Sequence, residues 1–563
     1  MAPHNAECPK ISIAISRSAA SEKKRFLGAP APPQRLAQER SRKAPRLRRA
    51  MVDDETVDVV FTLYCATLVF SMQIGFTLLE VGSVSIRNTK NILLKNLLDL
   101  CVTSVVFYLF GYGLSNGESE HGFAGRDGFA LTSSVFSSSV VETSARAHAH
   151  AFFSFAFAAT SATIVSGAVA ERFPFQSYAI MSAAMAGVIF PVVAHWPWAT
   201  TGWANPAREG GSAVFDVGAL DYAGGGVVHM VGGLAALWSV YMVGPRIGRF
   251  EHGRNNSQSS MPQQSPVFQI AGGLFMWYGW YGFNCGSVRT LANDHLIIVS
   301  RIAIITTLCA AMGGATTVVV DWYRDKTAIR PVRMINGVLT GLVASSAPCA
   351  YVAIPNALTI GVLSGLVYVW ISDLMVKHRL DDVVDAVAIH LGGGALGLFG
   401  SALLSTQTNL HQFFGDDYNA CGLFYGCKNG GNVFAAMIVY ILAIIGWVSA
   451  CVLIVLFTLQ RFDMLRVSQE LESHGLDKSV HGGQSYTEFQ TTIFKFKDKS
   501  GGEGSMEMRV RAGDAAKFAM VLSEIMDSDI SHSGGRTPAP PPSGAPRSPM
   551  ANLGPPRLTT HEE

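Results

Sequence analysis

The chain is 563 residues long, 49% hydrophobic and only 15% charged, where an average soluble domain carries about 25% charged residues. Its 43 Lys+Arg and 41 Asp+Glu are unevenly placed: 12 and 3 fall in residues 1–50, 12 and 14 in residues 461–563, and 19 and 24 in the 410 residues between. So sparse a core between two polar ends excludes an ordinary soluble globule and indicates a membrane-embedded domain with tails.

Residues 1–50 are a basic N-terminal extension rich in Ala, Ser, Pro and Arg. Three readings fit it: sequence upstream of a start at Met51, a cleaved organelle-targeting segment, or a retained disordered tail. From 51 to 460 there are eleven mostly apolar runs, near 57–80, 97–115, 149–170, 176–199, 222–243, 267–286, 297–320, 334–349, 356–375, 385–404 and 432–459. Each is close to the roughly 20 residues that a helix needs to cross hydrocarbon. Lipid cannot satisfy an open sheet edge, and the runs are too continuous for barrel strands, so the expected fold is an all-α multi-pass bundle of eleven transmembrane helices.

The third span carries Phe152, Phe153, Phe155 and Phe157, the fourth ends in His195-Trp196-Pro197-Trp198, and the sixth runs from Trp277 through Trp280, Tyr281 and Phe283 to Ser287. An aromatic face can hold a cation by cation–π attraction, although most such rings in membrane proteins serve packing or the interfacial belt. His148-Ala-His150 has no Cys or carboxylate cluster beside it, and no metal site is expected there.

Two histidines lie at mid-depth. His229 in the fifth span follows Asp221 and three glycines, and His390 in the tenth follows Asp385 and precedes three glycines. An offset of five spans reverses direction, so the two halves read as a five-plus-five inverted repeat with one extra C-terminal helix, bringing both imidazoles toward the bilayer midplane. Ionisable groups within spans are costly and functional by default. No phosphate-binding loop, paired nucleophile or nucleic-acid signature accompanies them, which argues against ATP-driven pumping and against an enzyme.

Sorting the loops by alternate side gives 13 Lys+Arg near 81–96, 171–175, 244–266, 321–333 and 376–384, against five on the other side: Arg126, Arg146, Arg208, Arg289 and Lys428. The basic set is expected in the cytosol, with residue 51 outside and the C-terminal tail inside. Cys421 and Cys427 share an external loop and could pair, whereas the sequon at Asn255 is cytosolic and unused. The tail over 461–563 has mixed charge, a Pro/Gly/Ser stretch at 533–556 that cannot fold alone, a strand suggested over Thr492–Lys499 and a helix over Asp514–Met526.

Five segments then carry a resemblance: Gly75–Ser83, Val165–Arg172, Ala219–Gly225, Gly244–Phe250 and Gly279–Asn284. Over residues 57–485 the chain resembles the ammonium transporters of the Amt/Mep/Rh superfamily, most of all plant-type and related bacterial Amt proteins. The resemblance implies a homotrimer of eleven-helix protomers, each with its own pore, in the plasma membrane. An organelle membrane is the alternative if residues 1–50 are a targeting peptide. The resemblance places Trp198, Ser287 and Phe157 at an outer recruitment site for ammonium or methylammonium, Phe157, Phe283 and Phe153 at a gate, and His229 and His390 in the pore. Asp221 and Trp280 are supporting residues, and no cofactor is implied. Ser479 stands where plant-type members are phosphorylated, which implies a kinase acting on the tail. Leu391, after the second pore histidine, and Cys285 depart from the usual pattern. Rival functions are an ammonium sensor signalling through its tail and an Rh-like electroneutral ammonia channel, the latter disfavoured by Trp198 and Ser287.

Overall fold

The computed structural model describes residues 54–250, 261, 263–291, 295–326, 329–483 and 485–486, and the backbone of 489–497, 503–511 and 557–559. The basic extension, the sequon at Asn255 and the helix expected over Asp514–Met526 lie outside the described residues. All eleven expected spans fall on helices: α1 (Asp54–Ser83), α2 (Ile86–Asn116), α3 (Val141–Ala168), α4 (Phe175–Trp198), α5 (Gly225–Val243), α6 (Pro266–Gly286), α7 (His295–Arg324), α8 (Pro331–Ser346), α9 (Ile354–Lys377), α10 (Val387–Leu404) and α11 (Gly430–Arg461). Among the described residues, nine of these are long and apolar enough to cross a membrane. The other two are α6, whose Trp, Tyr and Gly content lowers its hydropathy, and α8. At 16 residues, α8 rises only about 24 Å.

Glycines set the closest helix crossings, as expected where lipid gives no hydrophobic drive for helices to associate. A Cβ on Gly75 of α1 would lie 2.8 Å from the Gly272 carbonyl of α6, and one on Gly282 would lie 2.6 Å from the Cys65 carbonyl. The crossing of α5 and α10 is reciprocal: a Cβ on Gly233 would meet the Leu391 nitrogen at 2.3 Å, and one on Gly394 the Gly225 carbonyl at 2.5 Å. Leu391 therefore replaces no close contact; its backbone makes one.

The helix ends joined to the tail share one side of the bundle. There Val467 N–H donates to the Arg172 carbonyl, Arg466 donates to the Val243 and Pro245 carbonyls, and Glu472 accepts from Ile247 N–H. On the connection between α10 and α11, Cys421 and Cys427 are joined as a disulfide with a Cα separation of 6.0 Å. One expectation is corrected here. Arg87, Lys90 and Lys95, counted as loop residues, belong to α2, which begins at 86 and not near 97. The buried Lys95 ammonium is retained in the helix because it donates to the Phe173 carbonyl at 2.5 Å. Arg146 likewise sits within α3.

Two short tail helices follow, α12 (Gln469–His474) and α13 (Leu476–His481). The expected strand is present as β1 (Phe489–Lys497). It pairs antiparallel with β2 (Glu503–Arg511) and with β3 (Arg557–Thr559), giving the order β2-β1-β3. The two partner strands were not anticipated from the sequence, and β3 lies just past the Pro-rich stretch.

Asp477 anchors the tail. Its fully buried carboxylate accepts from the N–H groups of Lys90 and Asn91 at 3.0 and 2.8 Å, and from the Ser485 hydroxyl at 2.8 Å. It thus caps the first α-helical turn of α2, which begins at Thr89 after a 3-10 turn over Ile86–Asn88 and whose N–H groups have no partner within their own helix. Asp477→Ala leaves two enclosed donors unpaired, at a cost of about 1–3 kcal/mol. The expected outcome is a tail that opens about 5- to 150-fold more often, read as faster limited proteolysis beyond residue 466 with the helical bundle intact.

Candidate functional site

The site is built on two interrupted helices. Residues 225–230 of α5 and 387–392 of α10 are single π-helical turns, a distortion frequent at functional positions. His229 projects from the first and His390 from the second. Asp221 fixes the first turn: its Oδ2 accepts from Gly226 N–H and Val227 N–H at 3.0 Å each, and from the Tyr440 hydroxyl at 3.0 Å. Its backbone carbonyl accepts from Trp198 Nε1 at 2.9 Å, so one residue orients both the helix start and an indole. Gly224 adopts φ 92°, and a Cβ there would press on the Trp198 ring at 3.0 Å.

The sequence comparison of the two halves matched Asp221 with Asp385, and the geometry corrects this. Asp382 performs the capping role in α10, its Oδ2 accepting from Val387 N–H at 2.7 Å. Asp382 precedes His390 by the same eight positions that separate Asp221 from His229. Asp385 instead turns aside with φ 59° and accepts from Tyr368, Ser372 and Asn336.

From Trp198 a column of rings runs inward. Trp198 meets Phe157 edge-on at 5.8 Å between centroids, Phe157 stacks on Phe283 at 4.1 Å, and Phe153 lies against Phe157 at 4.7 Å. Phe283 lies 5.3 Å from His229, and His229 in turn 5.3 Å from His390 with planes 19° apart. Trp280 stacks on the His229 imidazole at 5.2 Å while its Nε1 donates to the Ser346 hydroxyl. Trp198 is half-buried, whereas Phe157 and Phe283 are 1% and 0% exposed, so the rings close the column beneath the indole. Ser287, at the end of α6, donates to the Phe283 carbonyl at 2.8 Å, which leaves its lone pairs as acceptors.

The two histidines face each other through their Nδ1 atoms at 3.2 Å. One nitrogen must donate and the other accept, so the facing pair shares one proton, and the outward Nε2 atoms are then one donor and one acceptor. His229 Nε2 is enclosed and has no hydrogen-bond partner. A small hydrogen-bonding solute that is itself both donor and acceptor suits such a wall, whereas a bare metal cation offers neither.

The geometry thus brings Trp198, Phe157, Phe153, Phe283, Trp280, His229 and His390 together, with Asp221 behind them. Ser479 is elsewhere, exposed on α13, its hydroxyl donating to the Gly475 carbonyl. Three contributors were missed in the sequence: Phe76, whose ring lies 6.2 Å from His390, Tyr440 and Asp382. The eight-residue spacing was a usable signal for Asp382; nothing marked Tyr440.

The Ammonium Transporter Family model matches residues 60–486. Ammonium transporter 1 member 1 of Arabidopsis thaliana is 36% identical over 425 residues, which cover 73% of this chain and 82% of that protein. Among solved structures, one named Sensor Amt Protein is 27% identical with a TM-score of 0.66, the likeness covering 76% of this chain and 98% of that one. Candida albicans Mep2 is 25% identical with a TM-score of 0.63, covering 73% and 85%. The chain belongs to the ammonium transporter family.

Proposed function

We propose that the protein moves ammonium across the plasma membrane by recruiting the ion at Trp198, Phe157 and Ser287, deprotonating it below the Phe157–Phe283 gate, and conducting ammonia past His229 and His390 with net movement of charge. The observation that carries this is the unbroken ring column ending on two imidazoles whose facing nitrogens are 3.2 Å apart. Ammonium and potassium are close in size, so a size filter fails; a closed apolar gate makes an intact charge expensive, and only ammonium has a proton to give up. The reciprocal glycine contacts of α5 and α10 support the inverted repeat, and the fall of every expected span on a helix supports the eleven-helix count. The tail side is the cytosolic one, residue 54 is outside, and the working unit is a homotrimer. Within it, residues 51–460 form the transport domain and 461–563 a regulatory tail on which Ser479 is the phosphorylation candidate.

The test is ammonium- or methylammonium-evoked current together with uptake, in a cell lacking its own ammonium uptake. Trp198→Leu removes the cation–π shelf, worth about 0.5–2 kcal/mol, and the half-saturating ammonium concentration is expected to rise about 2- to 30-fold with little change in maximal rate. Likeness to a structure named Sensor Amt Protein favours one second reading, a sensor acting through its tail. A sensor alone gives neither current nor uptake, and uptake without current indicates an electroneutral channel.

A further inference from the structure

Beside the ring column lies a second group of ionisable side chains within the bundle that the pore does not use. Glu80 of α1 is buried. Its Oε1 accepts from the Ser166 hydroxyl of α3 at 2.5 Å, and its Oε2 from the Asn96 amide of α2 at 2.9 Å. The other ionisable groups of the cluster are Lys95 and Asp99 on α2 and Tyr178 on α4. Asp99 accepts from Thr163 at 2.6 Å, and Lys95 is committed to the Phe173 carbonyl. A carboxylate buried within the bundle is costly, a cost these hydrogen bonds offset only in part, which makes it a candidate for function.

Glu80, Thr163 and His390 line one small cavity of about 10 Å³, whose remaining walls are apolar or aromatic. That volume is at the threshold for a single water. Gly167 makes the approach possible: a Cβ there would lie 3.1 Å from Glu80 Oε1 and 2.7 Å from Val384 on the segment leading to His390. Glu80 sits one turn from the tail-side end of α1, so it lies between the histidine pair and that surface.

We propose that Glu80 is the proton-relay residue of this transporter, receiving through the cavity the proton that ammonium leaves on the histidine pair. The inference rests on the function proposed above. In the pore one N–H bond of ammonium breaks and its electron pair stays on nitrogen, giving ammonia. The proton bonds to an imidazole nitrogen, then to the cavity water as that water passes one of its own protons to a Glu80 oxygen. Glu80 releases it to water on the tail side, and ammonia takes up a proton there, so one ammonium and one positive charge cross.

The test measures current and radiolabelled methylammonium uptake in the same cells expressing the full chain, with surface level monitored. Glu80→Gln is expected to lower the charge moved per methylammonium at least tenfold while downhill uptake continues, and Glu80→Asp to restore part of it. Gly167→Ala, which keeps the carboxylate but displaces it, is expected to lower the ratio in the same direction and decides the matter if Glu80→Gln fails to reach the surface. A wild-type ratio in Glu80→Gln overturns the relay. So does a proportional loss of current and uptake at normal surface level, which marks Glu80 as structural. Wild-type uptake without current overturns the relay and leaves a transporter. Neither uptake nor current from surface-expressed wild type sinks the transport reading itself.

Discussion

Replacing His229 by alanine is expected to cut ammonium uptake and current about 10- to 150-fold, at unchanged surface level. The imidazole has three roles here: it stacks on Trp280 and lies tilted against Phe283, it completes the shared proton with His390, and its enclosed Nε2 is the nitrogen without a partner. Alanine removes the hydrogen bond that passing ammonia would exchange for water, and leaves His390 Nδ1 without its partner. Loss of such a bond in an enclosed site costs about 1.5–3 kcal/mol, and about 1.4 kcal/mol is tenfold in rate. His390→Ala is expected to lose a similar factor. The double variant should lose little more than either single one, because the two rings act as one unit. Uptake in His229→Ala at more than half the wild-type rate would count against a pore through the pair.

Much of this site was legible in the residues because a membrane restricts what a polar group can be doing. Two histidines five spans apart, each flanked by glycines and an acid, stood out by cost alone, and the glycines proved to be where α5 and α10 touch. The order of the rings was different. Trp198, Phe157 and Phe283 come from three helices, and only the resemblance singled them out among 32 Phe and 9 Trp. Their placement also explains why α6 is apolar yet poor in aliphatic side chains: its Trp280 and Phe283 face the column. Asp382 was legible from its eight-residue spacing to His390, the same as that of Asp221 to His229, whereas the left-handed turns at Arg379 and Asp385 that carry Asp385 aside cannot be read from spacing. Lys95 was assigned to a loop for its charge; the carbonyl that holds it is 78 residues away in sequence.

The same limit hid the other feature on which stability is expected to depend. Two of the segments that carried the resemblance, Val165–Arg172 and Gly244–Phe250, meet on the tail side around a residue from neither. Arg246 reaches Glu171 at 2.6 Å and Asp381 at 2.7 Å, with all three side chains at most 7% exposed. Asp381 also faces Arg249 at 3.3 Å, and the Arg172 guanidinium donates to its backbone carbonyl. Burial alone would raise both carboxyls, but the charge and hydrogen bonds of Arg246 outweigh it and hold Glu171 and Asp381 below their usual range.

Arg246→Ala is therefore expected to cost about 3–5 kcal/mol, the range for removing one partner of a buried ion pair. The measurable loss is in thermal unfolding of the detergent-solubilised protein. Wild type and variant should also differ in how strongly stability responds to pH. A carboxyl held down in the folded state contributes stability above its unfolded pKa of about 4, and that contribution is lost as pH falls toward the folded value. Asp382 acts oppositely: burial and then Asp385 raise it to about 7, so its protonation below that favours the folded state. Wild type should consequently hold or gain slightly from pH 7 to 5 and lose stability below about 4. In Arg246→Ala the carboxyls are buried with less compensation and their pKa values rise, so acidification from pH 7 to 5 should raise the unfolding temperature clearly more than in wild type. Parallel pH profiles for the two proteins would mean that Arg246 does not set the ionisation of Glu171 and Asp381. The tail anchors to this same loop through Ile247 and Pro245, so the variant should also release the tail to protease, coupling the ion cluster to the face on which Ser479 lies.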